Sequence, residues 1–594
     1  MKKVGRIIRV NGPLVIAEDV PNAKIGDIVY IGADKLIGEI VRMFGNKVAC
    51  QCYEDTSGLR PGDPVENTGE PLAAELGPGL VGQIYDGLQF SEIEMWKAVG
   101  PFMVRGVKLS RLSRDRKWDF TPKVKPGDRV EEGDIIGTVP ETTVITHKIL
   151  VPPGLRGEIV EVEEGKLTVD DVVARLKKPS GEIVELKMMQ TWPVRFPRPY
   201  KMRLPLVEPL ITGQRVIDIF FPVTKGGAAA IPGGFGTGKT VTLQQLAKWS
   251  HADIIIYIGC GERGNEMADV ITHFPELEDP RTGKKLIERA IFIANVSNLP
   301  VYAREASIYM GVTMGEYYRD QGYDVAIMAD STSRWAEALR DISGRLEEIP
   351  AERGYPAYLA ERIAEFYERA GRVVTLGSEY RVGSVTIMGA VSPPGGDFSE
   401  PVTSITMRFI ETLWALDKEL AFRRHFPAIN WLLSFSRYID SVRGFWEKYD
   451  PEFARLRGEA MAILEDSSRI EHIARIVGEK ALPEDQRLIL LAAELIKEGF
   501  LTQSAYHEVD RYCPPEKQVK MLRAVVEFYR LTKPLVEKGV PVDKIRELKV
   551  LVDLLRMKER PGVEHIDEAV AKLKEQLAEL AREYGIPVSL VGVS

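Results

Sequence analysis

The segment Gly233-Gly234-Phe235-Gly236-Thr237-Gly238-Lys239-Thr240 fits the pattern G-x-x-x-x-G-K-[ST]. Its glycines let the backbone wrap around phosphate oxygens with amide N–H groups pointing inward. Lys239 supplies a positive charge for the β- and γ-phosphates, and the Thr240 hydroxyl is a suitable ligand for Mg²⁺. An apolar strand (AAAI) precedes the loop, and a helix that includes Val241 follows it. The pattern therefore predicts a site for ATP or ADP with Mg²⁺ that includes residues 233–241. A chance match in a glycine-rich loop is the alternative, and the strand–loop–helix frame weighs against it.

A second motif is the apolar run Val325-Ala326-Ile327-Met328-Ala329, which ends in Asp330. The run predicts a central strand, with Asp330 at its C-terminal end as a second Mg²⁺-binding group, acting through water. Taken alone, an apolar run that ends in Asp is weak evidence, but the phosphate loop upstream strengthens it.

Between these motifs, the run 254–258 predicts another buried strand, and Glu262 and Arg263 follow its C-terminal end. Ligands in open α/β sheets gather at that edge. A carboxylate there can orient the water that attacks a γ-phosphate, and a neighbouring Arg can orient the carboxylate or the phosphate. The alternative is an ordinary Glu–Arg pair on the surface.

The elements that must position these residues lie within 71–109 and 191–435, where continuous apolar runs alternate with helical stretches. Strands that are buried on both faces belong to a parallel α/β sheet. Residues 1–70 read as short strands separated by turns, typical of a closed β-barrel. Residues 110–190 predict a β-rich barrel-sandwich insertion, and 436–594 a helical domain. In its last helix, an apolar stripe ends before Gly585, which we expect to be a C-cap; the stripe comprises Ile566, Val570, Leu573, Leu577 and Leu580.

The chain has 594 residues, of which 44% are hydrophobic and 28% charged, and a net charge of −7. This length predicts several domains, and this charge does not favour nucleic acid as a partner of the whole chain. No apolar run approaches the 18 or more residues that span a bilayer, and the N-terminus does not read as a signal peptide. Four cysteines do not make a disulfide framework, so we expect a reducing, cytoplasmic environment.

The motifs GGFGTGKT, GERGNE, DSTSRWAEALRDISGRLEEIPAERGYPAYL and SPPGGDFSEPVT closely resemble the catalytic A subunit of V-type and archaeal A-type rotary ATPases. The resemblance covers nearly the whole chain. It implies a RecA-like P-loop domain, an insertion at 110–190 equivalent to the family's bulge domain, Glu262 as the catalytic glutamate, Arg263 as its phosphate-contacting neighbour, and Asp330 as the metal-binding carboxylate.

The resemblance also implies an adenine pocket, an assembly and a location. Gln503, Ser504, Tyr506 and Phe426 match the adenine pocket, with an aromatic ring stacked on the base. Three such chains would alternate with three non-catalytic B subunits (A3B3), and each B subunit would supply an arginine finger. Further expected partners are the central stalk, the peripheral stalk and, indirectly, a membrane sector, at the cytoplasmic face of the membrane. The assembly would hydrolyse or synthesise ATP coupled to H⁺ or Na⁺ transport.

Three other functions compete with this interpretation. An export ATPase of flagellar or injection systems would be shorter and would lack the bulge insertion. An RNA-dependent helicase would carry basic and aromatic residues on its barrel, whereas residues 1–70 hold nearly equal numbers of acidic and basic side chains. A non-catalytic regulatory subunit would lack the intact phosphate loop and Glu262.

Overall fold

The computed structural model describes residues 4–100, 106–107, 109–273, 276–279, 281–297 and 299–591. The chain divides into two compact units. Unit one comprises residues 1–205, 225–228 and 252–409, and unit two comprises residues 206–224, 229–251 and 410–594.

Unit one begins with a closed six-stranded antiparallel barrel. Along the barrel wall, the strands follow the chain order first, second, fifth, fourth, third, sixth. Apolar residues alternate into its core, among them Val15, Val29 and Ile40, which are fully buried. The predicted barrel is confirmed, and its strands are Gly5–Asn11, Leu14–Glu18, Asp27–Ile31, Leu36–Phe44, Lys47–Cys52 and Pro64–Pro71.

The predicted insertion is also confirmed: it forms two four-stranded sheets that enclose one apolar core. Its strands are Trp118–Pro122, Arg129–Val130, Ile135–Pro140, Thr146–Leu150, Gly157–Val162, Gly165–Leu167, Val172–Lys177 and Ile183–Lys187. Ala73–Leu76 and Gln190–Pro193, which flank the insertion, pair as antiparallel strands.

The rest of unit one contains a parallel sheet whose strands carry the candidate carboxylates. Its central strands are buried on both faces, as their continuous apolar runs predict. In spatial order the parallel strands are Ile84–Tyr85, Ala290–Asn295, Ile254–Cys260, Asp324–Asp330 and Val382–Val391. Gly371–Val374 and then Met202–Arg203 extend this sheet in the antiparallel sense. The helices are Glu92–Val99, Gly264–His273, Val301–Asp320, Thr332–Arg345, Leu359–Tyr367 and Pro401–Phe409, with 3-10 turns at Leu286–Arg289, Glu352–Gly354 and Pro394–Gly396.

Unit two contains the phosphate loop and the helical domain. Strand Ala228–Pro232 pairs in parallel with Thr412–Leu413, which pairs antiparallel with Phe435–Ser436. The α-helices are Lys239–Trp249, Lys418–Phe422, Ile439–Trp446, Phe453–Val477, Glu484–Leu495, Pro515–Glu537, Val542–Arg546, Val550–Arg556 and Glu564–Glu583. Two π-helical segments, Val216–Phe220 and Ile496–Leu501, and 3-10 turns at Glu479–Ala481, Met557–Glu559 and Val588–Val591 complete it.

The last long helix follows its sequence pattern closely. Ile566, Leu573, Leu577 and Leu580 are buried, and Val570 is half-buried. After the helix, Gly585 adopts a positive φ of 66°, and the amide of the next residue, 586, donates to the carbonyl of residue 581. This is the expected glycine C-cap. Among the helices of the described residues, none combines the length and apolar character that crossing a membrane requires.

Candidate active site

The phosphate loop of unit two has the backbone that its glycines predict. Strand Ala228–Pro232 is fully buried and enters the loop, and helix Lys239–Trp249 leaves it. Gly236 and Gly238 have φ values of 78° and 89°, a region that glycine enters at no steric cost. No side chain caps the start of the helix, so the first turn presents amide N–H groups and the positive end of the helix dipole to an anion.

Lys239 is held at the mouth of this loop. Its Nζ donates to the carbonyl oxygens of Gly233 and Gly234, at 2.7 and 3.0 Å. The Thr237 hydroxyl donates to the same Gly234 carbonyl at 2.8 Å, a hydrogen bond within the loop that stabilises its conformation. Thr240 is half-buried in the first turn. The ammonium group of Lys239 and the hydroxyl group of Thr240 therefore both lie at the first turn of the helix.

The apolar members of the predicted set are exposed. Phe235 at the tip of the loop is 81% exposed and Val241 is 41% exposed. Both side chains are therefore accessible to solvent, and neither is buried in the core.

The predicted base-binding residues also lie in unit two. Phe426 approaches the phosphate loop: its ring lies 3.8 Å from the position that a Cβ atom would take on Gly238. The backbone N–H of Gln503 donates to the Phe426 carbonyl at 2.8 Å, which ties segment 502–510 to this ring. Ser504 is exposed, and Tyr506 is 89% exposed, so it is free of core packing. The predicted aromatic pair is thus accessible on this unit.

Gln503 differs from its neighbours because its side chain is buried. Its Oε1 accepts from the backbone N–H of Arg215, and its Nε2 donates to the carbonyls of Gly213 and Asp510. Because all three bonds are made within unit two, the side-chain amide of Gln503 holds the loop together.

The acidic residues of the prediction meet in unit one, at the C-terminal ends of two paired strands. Glu262 follows strand Ile254–Cys260, and Asp330 ends strand Asp324–Asp330. The two strands are parallel neighbours, with Gly259 opposite Asp330. Asp330 is 2% exposed, Glu262 is half-buried, and Arg263 is exposed. The strand ends thus bring together two carboxylates that the sequence separates by many residues.

Burial and mutual repulsion dominate the electrostatics of this edge. Burial, followed by the negative charges of Asp330 and Glu266, raises the pKa of Glu262 to about 7. A hydrogen bond with Ser331 and the positive charge of Arg334 oppose this rise in pKa. A carboxylate whose pKa is near neutrality, next to a second carboxylate, is typical of a catalytic site.

The turn that carries Glu262 requires a glycine before it. Gly261 has a φ of 71°, and a Cβ atom there would lie 2.8 Å from Cδ of Arg304 and 2.9 Å from Cβ of Arg334. Downstream, the Glu262 carbonyl accepts from the N–H of Ser297 at 2.9 Å. The backbone on both sides of the carboxylate is therefore constrained.

Two residues near this edge were not predicted. The Tyr257 hydroxyl donates to Oδ2 of Asp330 at 3.1 Å, and Arg334, held by Glu337, contributes its charge near Glu262. The sequence signal for Tyr257 was a side chain with a polar hydroxyl inside an otherwise apolar strand. The signal for Arg334 was its position four residues after Asp330, at the start of a helix.

Four domain families match the chain in order. They are the beta-barrel domain of the ATP synthase alpha/beta family at residues 7–69, the barrel-sandwich domain of the ATP synthase alpha/beta subunits at 109–195, the nucleotide-binding domain of the ATP synthase alpha/beta family at 213–436, and the C-terminal domain of V and A type ATP synthase at 443–546.

Curated relatives match along the whole length. The A subunit of the A-type ATP synthase of Desulfurococcus sp. (strain SY) is 58% identical, and the match covers 98% of this chain and 100% of the relative. The protein of the same name from Methanopyrus kandleri is 59% identical, with 98% and 99% covered, and that from Thermofilum pendens is 54% identical, with 99% and 98% covered.

Among solved structures, the assembled ATPase EscN from the enteropathogenic E. coli (EPEC) type III secretion system is similar in fold. Its TM-score is 0.62 at 21% identity, and the match covers 88% of this chain and 100% of that chain. At this identity the likeness concerns the fold alone.

Proposed function

The chain belongs to the family of A subunits of A-type ATP synthases, the catalytic, nucleotide-binding subunits of these enzymes, and from this premise we propose what each group of its site residues does. The phosphate loop 233–240 binds the β- and γ-phosphates of ATP through its amides and Lys239, with Val241 following in the first helical turn. Glu262 orients and polarises the water that attacks the γ-phosphate during hydrolysis and that leaves it during synthesis. The single observation that carries this proposal is the half-buried Glu262 carboxyl, with its raised pKa, next to Asp330.

Two oxygen donors fit the magnesium ion that accompanies ATP. Mg²⁺ prefers hard oxygen ligands and keeps several waters, so it needs few protein ligands. We propose that the Thr240 hydroxyl and the Asp330 carboxylate, the latter through water, hold it. When bound, the ion neutralises charge on the β- and γ-phosphates. Among the described residues no cluster of three or more His, Cys, Asp or Glu side chains could hold a metal by itself, in keeping with a metal carried on the nucleotide.

Arg263 and the aromatic residues complete the proposed roles. The exposed Arg263 guanidinium, adjacent to Glu262, is suited to contact a phosphate, because a guanidinium offers paired donors to phosphate oxygens. Phe426 and Tyr506 are accessible flat rings, and either can stack on adenine. Ser504 adds an exposed hydroxyl near the base, and Gln503 supports the loop that carries it.

The chain acts in a complex, because its relatives are subunits of an ATP synthase. We propose that three copies alternate with three non-catalytic B subunits, each of which contributes an arginine finger. The helical domain then meets a central stalk, other subunits form a peripheral stalk, and the assembly lies at the cytoplasmic face of a membrane whose sector conducts H⁺ or Na⁺. Family membership sets aside the three competing functions of export ATPase, helicase and regulatory subunit.

An assay of the chain alone and then mixed with the B subunit tests this proposal. We expect ATP hydrolysis to appear only in the mixture, since the arginine finger would complete the site. A mixture with a B subunit that lacks its finger arginine is the control, and should assemble without turnover. Full hydrolysis by the isolated chain, or no hydrolysis by a verified assembly, would contradict the proposal.

A further inference from the structure

The most completely buried cation of unit two is Arg215, which lies just before the π-helical segment Val216–Phe220 and is 0% exposed. All three nitrogens of its guanidinium donate hydrogen bonds. Nε donates to the Phe500 carbonyl at 2.6 Å, Nη1 to Oδ1 of Asp510 at 2.7 Å, and Nη2 to the Thr502 carbonyl at 2.7 Å. Every acceptor belongs to one segment, so a single planar group holds both ends of residues 500–510.

Side chains of the segment 500–510 also form hydrogen bonds with one another and with the backbone of Arg215. Oδ2 of Asp510 accepts from the backbone N–H of Ser504 at 2.8 Å, while Oδ1 accepts from Arg215. The Gln503 side chain accepts from the backbone N–H of Arg215 and donates to the Asp510 carbonyl. Residues 502–510, here called the base loop, therefore have their two ends fixed on a common buried centre.

The base loop is also connected to both ends of the phosphate-loop helix. At the start of that helix, Phe426, which accepts from Gln503, lies against Gly238. At its end, Trp249 stacks on Tyr512, just after the base loop, with ring centroids 5.2 Å apart. The position of the base loop relative to the phosphate loop is thus set by contacts within unit two.

We propose that Arg215 is a positioning residue for base recognition: it fixes the base loop so that Ser504 and Tyr506 face the adenine of a nucleotide whose phosphates lie on the phosphate loop. This inference rests on the proposed function, which assigns the base contacts to this loop and to Phe426. Arg215 does not touch the nucleotide itself, because it is fully buried and each of its guanidinium nitrogens is engaged by the loop. We therefore expect substitution of Arg215 to change the binding of the base and not the binding of the phosphates.

Two ligands separate this role from a general structural one: ADP, which has a base, and inorganic tripolyphosphate, which has none. Both are titrated calorimetrically, with Mg²⁺, into the full-length chain. In Arg215→Lys the charge opposite Asp510 remains, but a single ammonium group cannot hold two carbonyls and a carboxylate in the same plane. We expect the affinity for ADP to fall by roughly tenfold, about 1.4 kcal/mol, while that for tripolyphosphate stays within about twofold.

A matched control is Arg487→Lys, which alters another largely buried arginine of unit two, paired with Glu484 and Asp543 in the helical domain. We expect it to change neither affinity. If Arg215→Lys does not fold, Asp510→Asn carries the test, because it keeps the shape of the loop while removing the charge, and we expect the same selective loss to a smaller extent.

Equal losses for ADP and tripolyphosphate would overturn the inference, because they would mean a general structural role, and so would unchanged binding of both. Tyr506→Ala and Phe426→Ala show whether the underlying assignment of the base site holds. If neither weakens ADP binding, the proposed base contacts are wrong. If either does so while Arg215→Lys does not, the base contacts stand and only the positioning role of Arg215 fails.

Discussion

The hydroxyl of Tyr257 donates a hydrogen bond to Oδ2 of Asp330 at 3.1 Å, and both side chains are almost completely buried. The two residues lie on adjacent parallel strands, two register positions apart. Because a buried carboxylate needs partners, this phenol both satisfies Asp330 and limits how its carboxylate can rotate. The burial of Tyr257 beside Asp330 also raises the pKa of the phenol well above its usual value, so it remains a donor.

Tyr257→Phe should therefore weaken the use of Mg²⁺ without weakening the binding of phosphates. A hydrogen bond to a charged group contributes about 1.5–3 kcal/mol, part of which orients the carboxylate, so we expect the Mg²⁺ concentration for half-maximal ADP binding to rise roughly fivefold to tenfold. Calorimetric titration with ADP at several Mg²⁺ concentrations, and again in EDTA, measures this.

Tyr309→Phe is the matched control, because the hydroxyl of that buried tyrosine has no hydrogen-bond partner among the described residues. It should leave the Mg²⁺ dependence unchanged. Equal Mg²⁺ requirements of Tyr257→Phe and the unmodified chain would show that the phenol does not orient Asp330.

Glu262→Gln and Lys239→Ala should separate turnover from binding. The amide of Gln cannot polarise water as a carboxylate does, so Glu262→Gln should bind ATP normally and lose turnover by roughly 10²- to 10³-fold.

Lys239→Ala removes the ammonium group that the carbonyl oxygens of the phosphate loop hold, and should lose nucleotide binding and hydrolysis together. Equilibrium ATP binding and hydrolysis in the assembled complex measure both effects, and full hydrolysis by Glu262→Gln would exclude its role toward water.

The pKa of Glu262 predicts how the reaction depends on pH. Burial and the charge of Asp330 raise this pKa to about 7, so the carboxyl is protonated below that pH and ionised above it. Only the ionised form can accept a proton from the attacking water, and it is also the stronger hydrogen-bond acceptor. The value of kcat/KM should therefore be constant at alkaline pH and fall about tenfold per unit below pH 7. ATP affinity, measured in parallel, should change little, and a kcat/KM that is flat from about pH 5.5 to 8 would contradict the prediction.

Much of this fold is predictable because local patterns and long-range structure agree. Alternating strands with glycine turns predict the barrel, and continuous apolar runs predict the buried sheet strands. The glycines of the phosphate loop predict a backbone with positive φ values, which only glycine adopts without a steric cost. Glu262 and Asp330 were predictable for a different reason. Asp330 ends one strand and Glu262 follows the end of its parallel neighbour, so both residues lie at the same edge of the sheet once the strands pair.

The remaining parts of the site depend on strand register and on tertiary packing, which cannot be read from a single amino-acid sequence. Tyr257 reaches Asp330 only because their strands pair with Gly259 opposite Asp330. Arg215 is distant in sequence from the base loop, and its contacts arise from tertiary packing within unit two. The side-chain amide of Gln503, a residue predicted as a base contact, is buried and bonds to backbone groups of Gly213, Arg215 and Asp510, which also depends on tertiary packing.

Gly261→Ala should displace Glu262. A methyl group at this position would meet Cδ of Arg304 at 2.8 Å, and the positive φ of 71° costs a non-glycine residue roughly 1–2 kcal/mol. Because displacements of about 1 Å at a catalytic group can cost about 10²-fold in rate, we expect turnover to fall at least roughly tenfold while ATP binding persists. Gly264→Ala, where nothing lies within 4 Å of the added methyl, is the control and should retain turnover. Equal rates for the two variants would mean that this turn does not position the carboxylate.

Glu141 of the barrel-sandwich insertion should be essential for the stability of unit one. Its carboxylate accepts from the backbone amides of Gly79 and Val81, from the Tyr318 hydroxyl at 2.9 Å, and bonds Nδ1 of His147 at 2.7 Å, all in the interior. Burial acts to raise the pKa of Glu141, but His147, followed by the backbone amides of Val81 and Gly79, outweighs burial and lowers this pKa.

Glu141→Ala would leave these donors buried without their acceptor, and each buried polar group left unsatisfied costs about 1–3 kcal/mol. We expect a lower midpoint of thermal unfolding and faster limited proteolysis within residues 110–190. Glu164→Ala, which alters an exposed glutamate of the same insertion, is the control and should change neither quantity. If Glu141→Ala resisted protease as well as Glu164→Ala does, the insertion would have to be held to the rest of unit one by other contacts, such as the hydrogen bonds that Ser378 donates to Asp134.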